Sequence, residues 1–325
     1  MNTLTVGTAS AKPGSIATGG IEVTNHPGGG KVSIPVVIIN GTDEGPVLWI
    51  NNGIHGDEPQ GAWAIHALMK KVDPKKLHGT LVGVPYINVP AFEARARGNT
   101  RDPFAYDMNQ IYPGNPTGRL THRIAWAHKE ALTASADMEI SVHSGGRECF
   151  LGTTLFTSEL SLELAKAMGP GWELLLDSPH PKGSPMAELF EQGKPAISIE
   201  QGGGGLMPDD TLKDINVLVS AFLNVMRHYK MIQGAPEYAK EWRRGKQTAV
   251  LAQHSGLWVP EPGIEFHKPI KKGTLLGHIC DLYGNALEEI KTPFDGEIFG
   301  IRTLPVVYTG EWMLFFAEVT ETISQ

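Results

Sequence analysis

The spacing of apolar positions divides the chain into two stretches of different character. In the first, residues 32–39 (VSIPVVII) and 47–50 (VLWI) are β-branched or aromatic runs bounded by Gly and Asn, which predicts strands. Residues 1–30 are rich in Gly, Ser and Thr and predict a short strand at 21–24 among loops. After Pro59, the positions Ala62, Ile65, Met69 and Val72, with Ala64 and Leu68 beside them, recur at helical spacing. Further strands are predicted at 81–85, 138–142 and 196–199, and helices at 125–134, near 160–168, near 186–192 and at 214–231. The segment from Glu93 to Asn115 is polar, irregular and too long to be only a connector. Alternating strands and helices predict an α/β architecture, a mixed, mostly parallel sheet flanked by helices, with ligands held at the carboxyl ends of the strands.

The second stretch begins near residue 235. Residues 235–247 carry Lys240, Arg243, Arg244 and Lys246 and read as a solvated linker. From 249 to 318 only short β-like runs remain, such as 256–260, 273–277 and 293–298, each set off by Gly or Pro. The chain therefore divides into a larger domain over 1–240 and a β-rich C-terminal domain over 241–325.

Charge and composition narrow the function classes. The 28 basic and 35 acidic residues give a formal net charge of −7, with no basic stripe, which argues against nucleic acid and against an anionic membrane as partners. No stretch approaches about 18 consecutive apolar residues, and the N-terminus lacks the basic and apolar regions of a signal peptide, so a cytoplasmic protein is expected. Cys149 and Cys280 are too few for a disulfide framework and read as reduced, buried thiols. Trp258, Phe266 and Trp312 could line an interface of a homo-oligomer, although core packing is the commoner use of such residues.

Chemistry concentrates at residues 51–61, NNGIHGDEPQG, between a predicted strand and a predicted helix. His55 and Glu58 are three positions apart, so one turn can aim both at a single point, and Pro59 keeps Glu58 out of the helix proper. Imidazole and carboxylate are both zinc ligands, and a catalytic zinc takes three protein ligands. His143, at the end of the strand 138–142, is the candidate third. An HxxE pair alone arises often by chance, as a capping or salt-bridged pair. Glu200 ends another strand and precedes the glycines 202–205, where a carboxylate can act as general base; a surface Glu before a loop is the plainer alternative. Arg95, Arg97 and Arg101 supply cations that could stabilise an oxyanion or bind a carboxylate, or could simply be solvated.

In this order, HGDE, the Arg-bearing loop, Asp107-Met108-Asn109-Gln110 with Tyr112-Pro113-Gly114, Ser141-Val142-His143, and Ile199-Glu200 before glycines, the chain resembles the succinylglutamate desuccinylase/aspartoacylase family of zinc-carboxypeptidase-like hydrolases. The resemblance covers nearly the whole chain and implies a zinc carboxypeptidase-like fold with a C-terminal all-β, barrel-like domain. It implies that His55, Glu58 and His143 hold one Zn²⁺ per chain, that Glu200 activates water, and that Asn109 binds substrate. Arg97 fits the RxR form of the carbonyl-polarising arginine, with Arg101 the alternative. Two positions depart from the pattern: Gln110 replaces a usual Arg, removing a cation that would grip a substrate carboxylate, and Ser141 stands where Asp is common. The implied activity is hydrolysis of a linear amide bond in a small N-acylated amine or amino acid. A peptide carboxypeptidase, or a non-catalytic binding protein retaining the fold, are the competing readings.

Overall fold

The computed structural model describes residues 2–178, 182–205 and 208–325. Its first part runs β1 (Leu4–Val6), β2 (Ala9–Ala11), β3 (Ser15–Asn25), β4 (Lys31–Asn40), β5 (Asp43–Asn52), α1 (Gln60–Met69), β6 (His78–Val84), α2 (Val89–Glu93) and α3 (Leu120–Ser135). Next come β7 (Met138–His143), β8 (Cys149–Thr157), α4 (Leu162–Lys166), β9 (Leu174–Asp177), α5 (Pro185–Phe190), β10 (Ala196–Gly203) and α6 (Pro208–His228). The tail contains β11 (Glu241–Leu251), β12 (Gly256–Pro260), β13 (Pro269–Ile270), β14 (Leu275–Cys280), β15 (Ala286–Lys291), β16 (Gly296–Arg302), β17 (Val306–Val307) and β18 (Trp312–Ser324). No helix among the described residues is long and apolar enough to cross a membrane.

Among the described residues, twelve strands form one sheet in the order β13-β16-β18-β11-β9-β8-β10-β7-β5-β6-β4-β3. The expected α/β architecture with a mixed sheet is present, but its parallel pairs fall in two separate runs, β8-β9-β11 and the central β6-β5-β7-β10. Antiparallel pairs flank the central run, with β3–β4 and β4–β6 on one side and β8–β10 on the other. Hydrophobic runs mark a strand as buried without encoding its direction, which is why periodicity alone overstates the parallel share.

Side chains alternate across the central strands, giving each face its own core. Leu48, Ile50, Ile140, Val142, Ile197 and Ile199 face one cluster, covered by apolar residues of α1, α4 and α6. Trp49 and Ala196 belong to the other cluster, covered by α3 and α5 through Ile124, Ala125, Leu132, Met186 and Leu189. By the same alternation Asn51, Glu139, Ser141, His143, Ser198 and Glu200 share the α3/α5 face. The polar positions that interrupt the strand patterns thus line up on one face, towards the carboxyl ends.

The solvated linker expected at 235–247 is instead largely a strand. β11 pairs antiparallel with β18 and parallel with β9, so the tail extends the central sheet. Its two arginines face acidic partners: Arg244 is bound by Asp177 and Glu159, and Arg243 lies 2.8 Å from Glu297. The tail is all-β, as expected, with its strands divided between this sheet and a four-stranded one of order β15-β14-β12-β17. Trp258, Leu276, Ile279 and Ile290 of the small sheet share a core with Ile298, Leu314 and Phe316 of the large one.

Candidate active site

Three strand ends and one loop build the site. The chain leaves β5 through Gly53 and Ile54, and His55 and Glu58 follow before α1 begins at Gln60. Gly56 between them packs so closely that a Cβ there would lie 2.1 Å from the carbonyl carbon of Ala91. Its backbone N–H donates to the carbonyl of Arg97 at 3.0 Å, which ties the HGDE turn to the arginine loop. His143 ends β7, and Glu200 lies opposite it in the parallel ladder with β10.

His55, Glu58 and His143 are all buried, and their ligand atoms lie within 4.8 Å of one another. His55 Nδ1 is 2.8 Å from Glu58 Oε1, His143 Nδ1 is 3.1 Å from Glu58 Oε2, and the two Nδ1 atoms are 3.3 Å apart. The far nitrogen of each ring has its own partner: Asp107 Oδ1 at 3.1 Å for His55 Nε2, and Ser141 Oγ at 3.3 Å for His143 Nε2. A carboxylate accepting from Nε2–H fixes the tautomer that leaves the Nδ1 lone pair facing inward. Ser141 instead offers His143 a neutral hydroxyl, which can accept from or donate to Nε2 and so does not by itself fix that tautomer. Two imidazoles and a carboxylate converging on one buried point fit the ligand set of a catalytic zinc.

The electrostatics are those of a site that wants a cation. Burial opposes charge on His55, but Glu58 and Asp107 outweigh it and push the ring up to about 9. Burial also opposes ionisation of Glu58 and Asp107, yet His55 and His143 hold Glu58, and His55 and Arg97 hold Asp107, well below the usual carboxylate range. Burial lowers His143 despite the pull of Glu58. Burial, reinforced by the Glu58 charge, raises Glu200 well above its ordinary value, against His55 and Arg97.

These groups border a cavity of about 310 Å³, lined also by Arg97, Asn109 and Glu200. Arg97 reaches Glu58 Oε1 at 3.4 Å and Asp107 Oδ2 at 3.3 Å. Asn109 Oδ1 and Glu200 Oε2 are buried without a hydrogen-bond partner, so each has an acceptor unspent. Arg101 is exposed and does not line the cavity. Gln110 is likewise exposed, with Nε2 donating to Asp107 Oδ2 at 3.2 Å. The structure therefore brings six of the nine sequence candidates together and leaves Arg95, Arg101 and Gln110, all exposed, outside the wall.

Sequence reasoning missed two kinds of participant. Asp107 stands within the quoted Asp-Met-Asn-Gln segment, but only the fold reveals that it orients His55. The tail supplies Gln247, Phe299, Trp312 and Phe315 to the cavity wall, and no local motif marks them.

Residues 44–226 match the model of the succinylglutamate desuccinylase/aspartoacylase catalytic domain. Over 309 residues the chain is 26% identical to N-alpha-acetyl-L-2,4-diaminobutyric acid deacetylase of Halomonas elongata, covering 90% of this chain and 88% of that one. Among solved structures, the product-bound ectoine utilization protein EutE (DoeB) from Ruegeria pomeroyi superposes with a TM-score of 0.82 at 23% identity, covering 94% of this chain and 95% of that one. A succinylglutamate desuccinylase/aspartoacylase from Rhodobacter sphaeroides gives 0.80 at 20% identity, covering 99% and 97%. At these identities the structural likeness is one of fold.

Proposed function

Because this chain belongs to the succinylglutamate desuccinylase/aspartoacylase family, we propose that it is a zinc-dependent deacylase, a hydrolase that cleaves the linear amide bond of a small N-acylated amine or amino acid. The convergence of His55, Glu58 and His143 on one buried point, beside a cavity bordered by Glu200 and Arg97, carries this reading. The name of the Halomonas relative, a deacetylase of an N-acetylated amino acid, supports it. In this reading residues 1–240 form the catalytic unit, and the β-rich domain over 241–325 completes the cavity.

His55, Glu58 and His143 would hold a divalent ion, which would supply Lewis acidity to lower the pKa of water and polarise a carbonyl. The remaining roles fall to the chain. Glu200 takes one proton of the attacking water at its free Oε2 as the oxygen adds to the acyl carbon. The Arg97 guanidinium stabilises the negative charge that develops on the carbonyl oxygen. Glu200 then returns its proton to the amide nitrogen as the C–N bond breaks, which leaves a carboxylic acid and a free amine. Asn109 Oδ1 is an acceptor for a substrate N–H. Gln110, outside the wall and neutral, gives no bidentate grip on a substrate carboxylate.

The test is a panel of N-acylated amines and amino acids, N-α-acetyl-2,4-diaminobutyrate among them, offered to purified protein of measured metal content. Release of free amine that a chelator abolishes and zinc restores is the expected result. Failure to release amine from any member at full zinc occupancy overturns the reading.

A further inference from the structure

Arg97 and Trp312 lie far apart in sequence, one in the loop after α2 and the other at the start of β18. In the fold the Arg97 guanidinium carbon is 5.7 Å from the centroid of the Trp312 ring, and both side chains line the cavity. The polar anchors of Arg97 are single, long contacts to Glu58 and Asp107. Glu58 belongs to the metal-ligand triad, and oxygen lone pairs committed to a cation are no longer free for Arg97. That leaves Asp107 and the indole face to hold the guanidinium.

The indole is itself held in place. Its ring meets Phe315 edge to face, with centroids 5.3 Å apart. The loop that presents it is bracketed by Arg302, whose side chain is 1% exposed. This guanidinium donates to the carbonyls of Leu304, Val306 and Trp312 and pairs with Glu311 at 2.8 Å. Glu311 in turn accepts from the backbone N–H of Tyr308 at 2.9 Å. Burying a guanidinium is costly unless its donors are satisfied, and here they are spent on the loop that ends in Trp312. A functional group placed this accurately needs such a supporting layer.

We propose that Trp312 is a positioning residue for Arg97: its ring face holds the guanidinium over the cavity by cation–π stacking, and Arg302 fixes the loop that delivers the ring. The inference rests on Arg97 as the oxyanion-stabilising group of the proposed hydrolase. It gives the tail a part in the chemistry that is exerted through Arg97 rather than by contact with the reacting atoms.

Trp312→Phe, Trp312→Leu and Trp312→Ala, each loaded with zinc, test it through two readouts. In the ¹H–¹⁵N spectrum, ring current is expected to displace the Arg97 Nε–Hε resonance upfield in the wild type. The displacement is expected to persist in Trp312→Phe and to vanish in the Leu and Ala variants. In turnover, Leu and Ala are expected to lose about three- to tenfold in kcat with KM within twofold, Phe to recover most of the loss, and Trp312→Leu to cost nothing further in an Arg97→Ala background. Leu keeps the apolar bulk, so the Phe–Leu comparison decides the matter even if the Ala variant does not fold. An Arg97 resonance unmoved by Trp312→Leu overturns the proposal, as does an equal kcat loss with and without Arg97. If the wild type turns over no acyl amide, the hydrolase reading fails, while the resonance arm still decides the stacking.

Discussion

Glu200 and His143 stand directly opposite one another in the parallel ladder of β10 and β7. A parallel pair sets neighbouring strands about 4.8 Å apart with the paired side chains on the same face, so a candidate metal ligand and a carboxylate with an unpartnered oxygen are delivered side by side by strand register alone. Glu200 Oε2 has no partner, and Glu200→Gln removes its ability to move a proton while keeping its shape. Turnover is expected to fall by about 10²- to 10⁴-fold with zinc content unchanged, measured by initial rates and elemental analysis of the same sample. A Gln variant with wild-type kcat removes the base assignment.

Arg97 and Arg101 are separated in consequence as they are in space. Arg97 lines the cavity, whereas Arg101 is exposed and away from the wall. Arg97→Ala is expected to cost roughly 10²- to 10³-fold in kcat, the scale of a lost oxyanion donor, and Arg101→Ala less than about twofold, as for a surface substitution. Steady-state kinetics of the two variants on one substrate decides between them. Equal losses would return the role to an open question between the two arginines.

Gly56→Ala tests how tightly the HGDE turn is built. The added Cβ would meet Ala91 C at 2.1 Å and Phe92 N at 2.3 Å, both backbone atoms that cannot rotate away. The variant is expected to lose about 1–3 kcal/mol of stability, the cost of overpacking. Because a metal that binds only the folded protein raises its melting temperature, the gap in Tm with and without chelator is expected to narrow as His55 and Glu58 are pushed apart. An undiminished gap would show that the turn accommodates the methyl group without moving its ligands.

The candidate metal-binding half of the site was legible because its signals are local. His55 and Glu58 are three residues apart, and His143 and Glu200 each end a run of strand-forming residues, so position in the sheet could be read from the pattern. The arginine could not be fixed, since the loop from 93 to 115 has no periodicity to say whether Arg97 or Arg101 turns inward. The strand at 241–251 was hidden by its charges. Arg243 and Arg244 read as solvated until Glu297, Asp177 and Glu159, distant in sequence, are brought against them. Trp312 was illegible for the same reason: its partner Arg97 is at the other end of the chain, and only the strand order joins them.

Glu139 offers a test of the fold that does not depend on the chemistry. Its side chain is fully buried on the site-bearing face of β7, with Oε1 accepting from Asn51 Nδ2 at 2.7 Å and Oε2 unpartnered. Burial pushes its pKa up to about 8, against the opposing bond from Asn51. A folded-state pKa above the unfolded value of about 4.3 means that the folded state holds the proton more tightly. The stability linked to that proton is complete below pH about 4 and is lost progressively as the pH rises through 8. Glu139→Gln keeps the acceptor for Asn51 and removes the ionisation, so it is expected to match the wild type near pH 4. By pH 9 it is expected to be more stable by roughly a few kcal/mol, at about 1.4 kcal/mol for each pH unit that separates the folded from the unfolded pKa. Urea unfolding of both proteins at several pH values from 4 to 9 measures the difference. A gap that stays constant across this range would mean that Glu139 titrates alike in the folded and unfolded chains, and that the polar face of β7 is wetter than its packing implies.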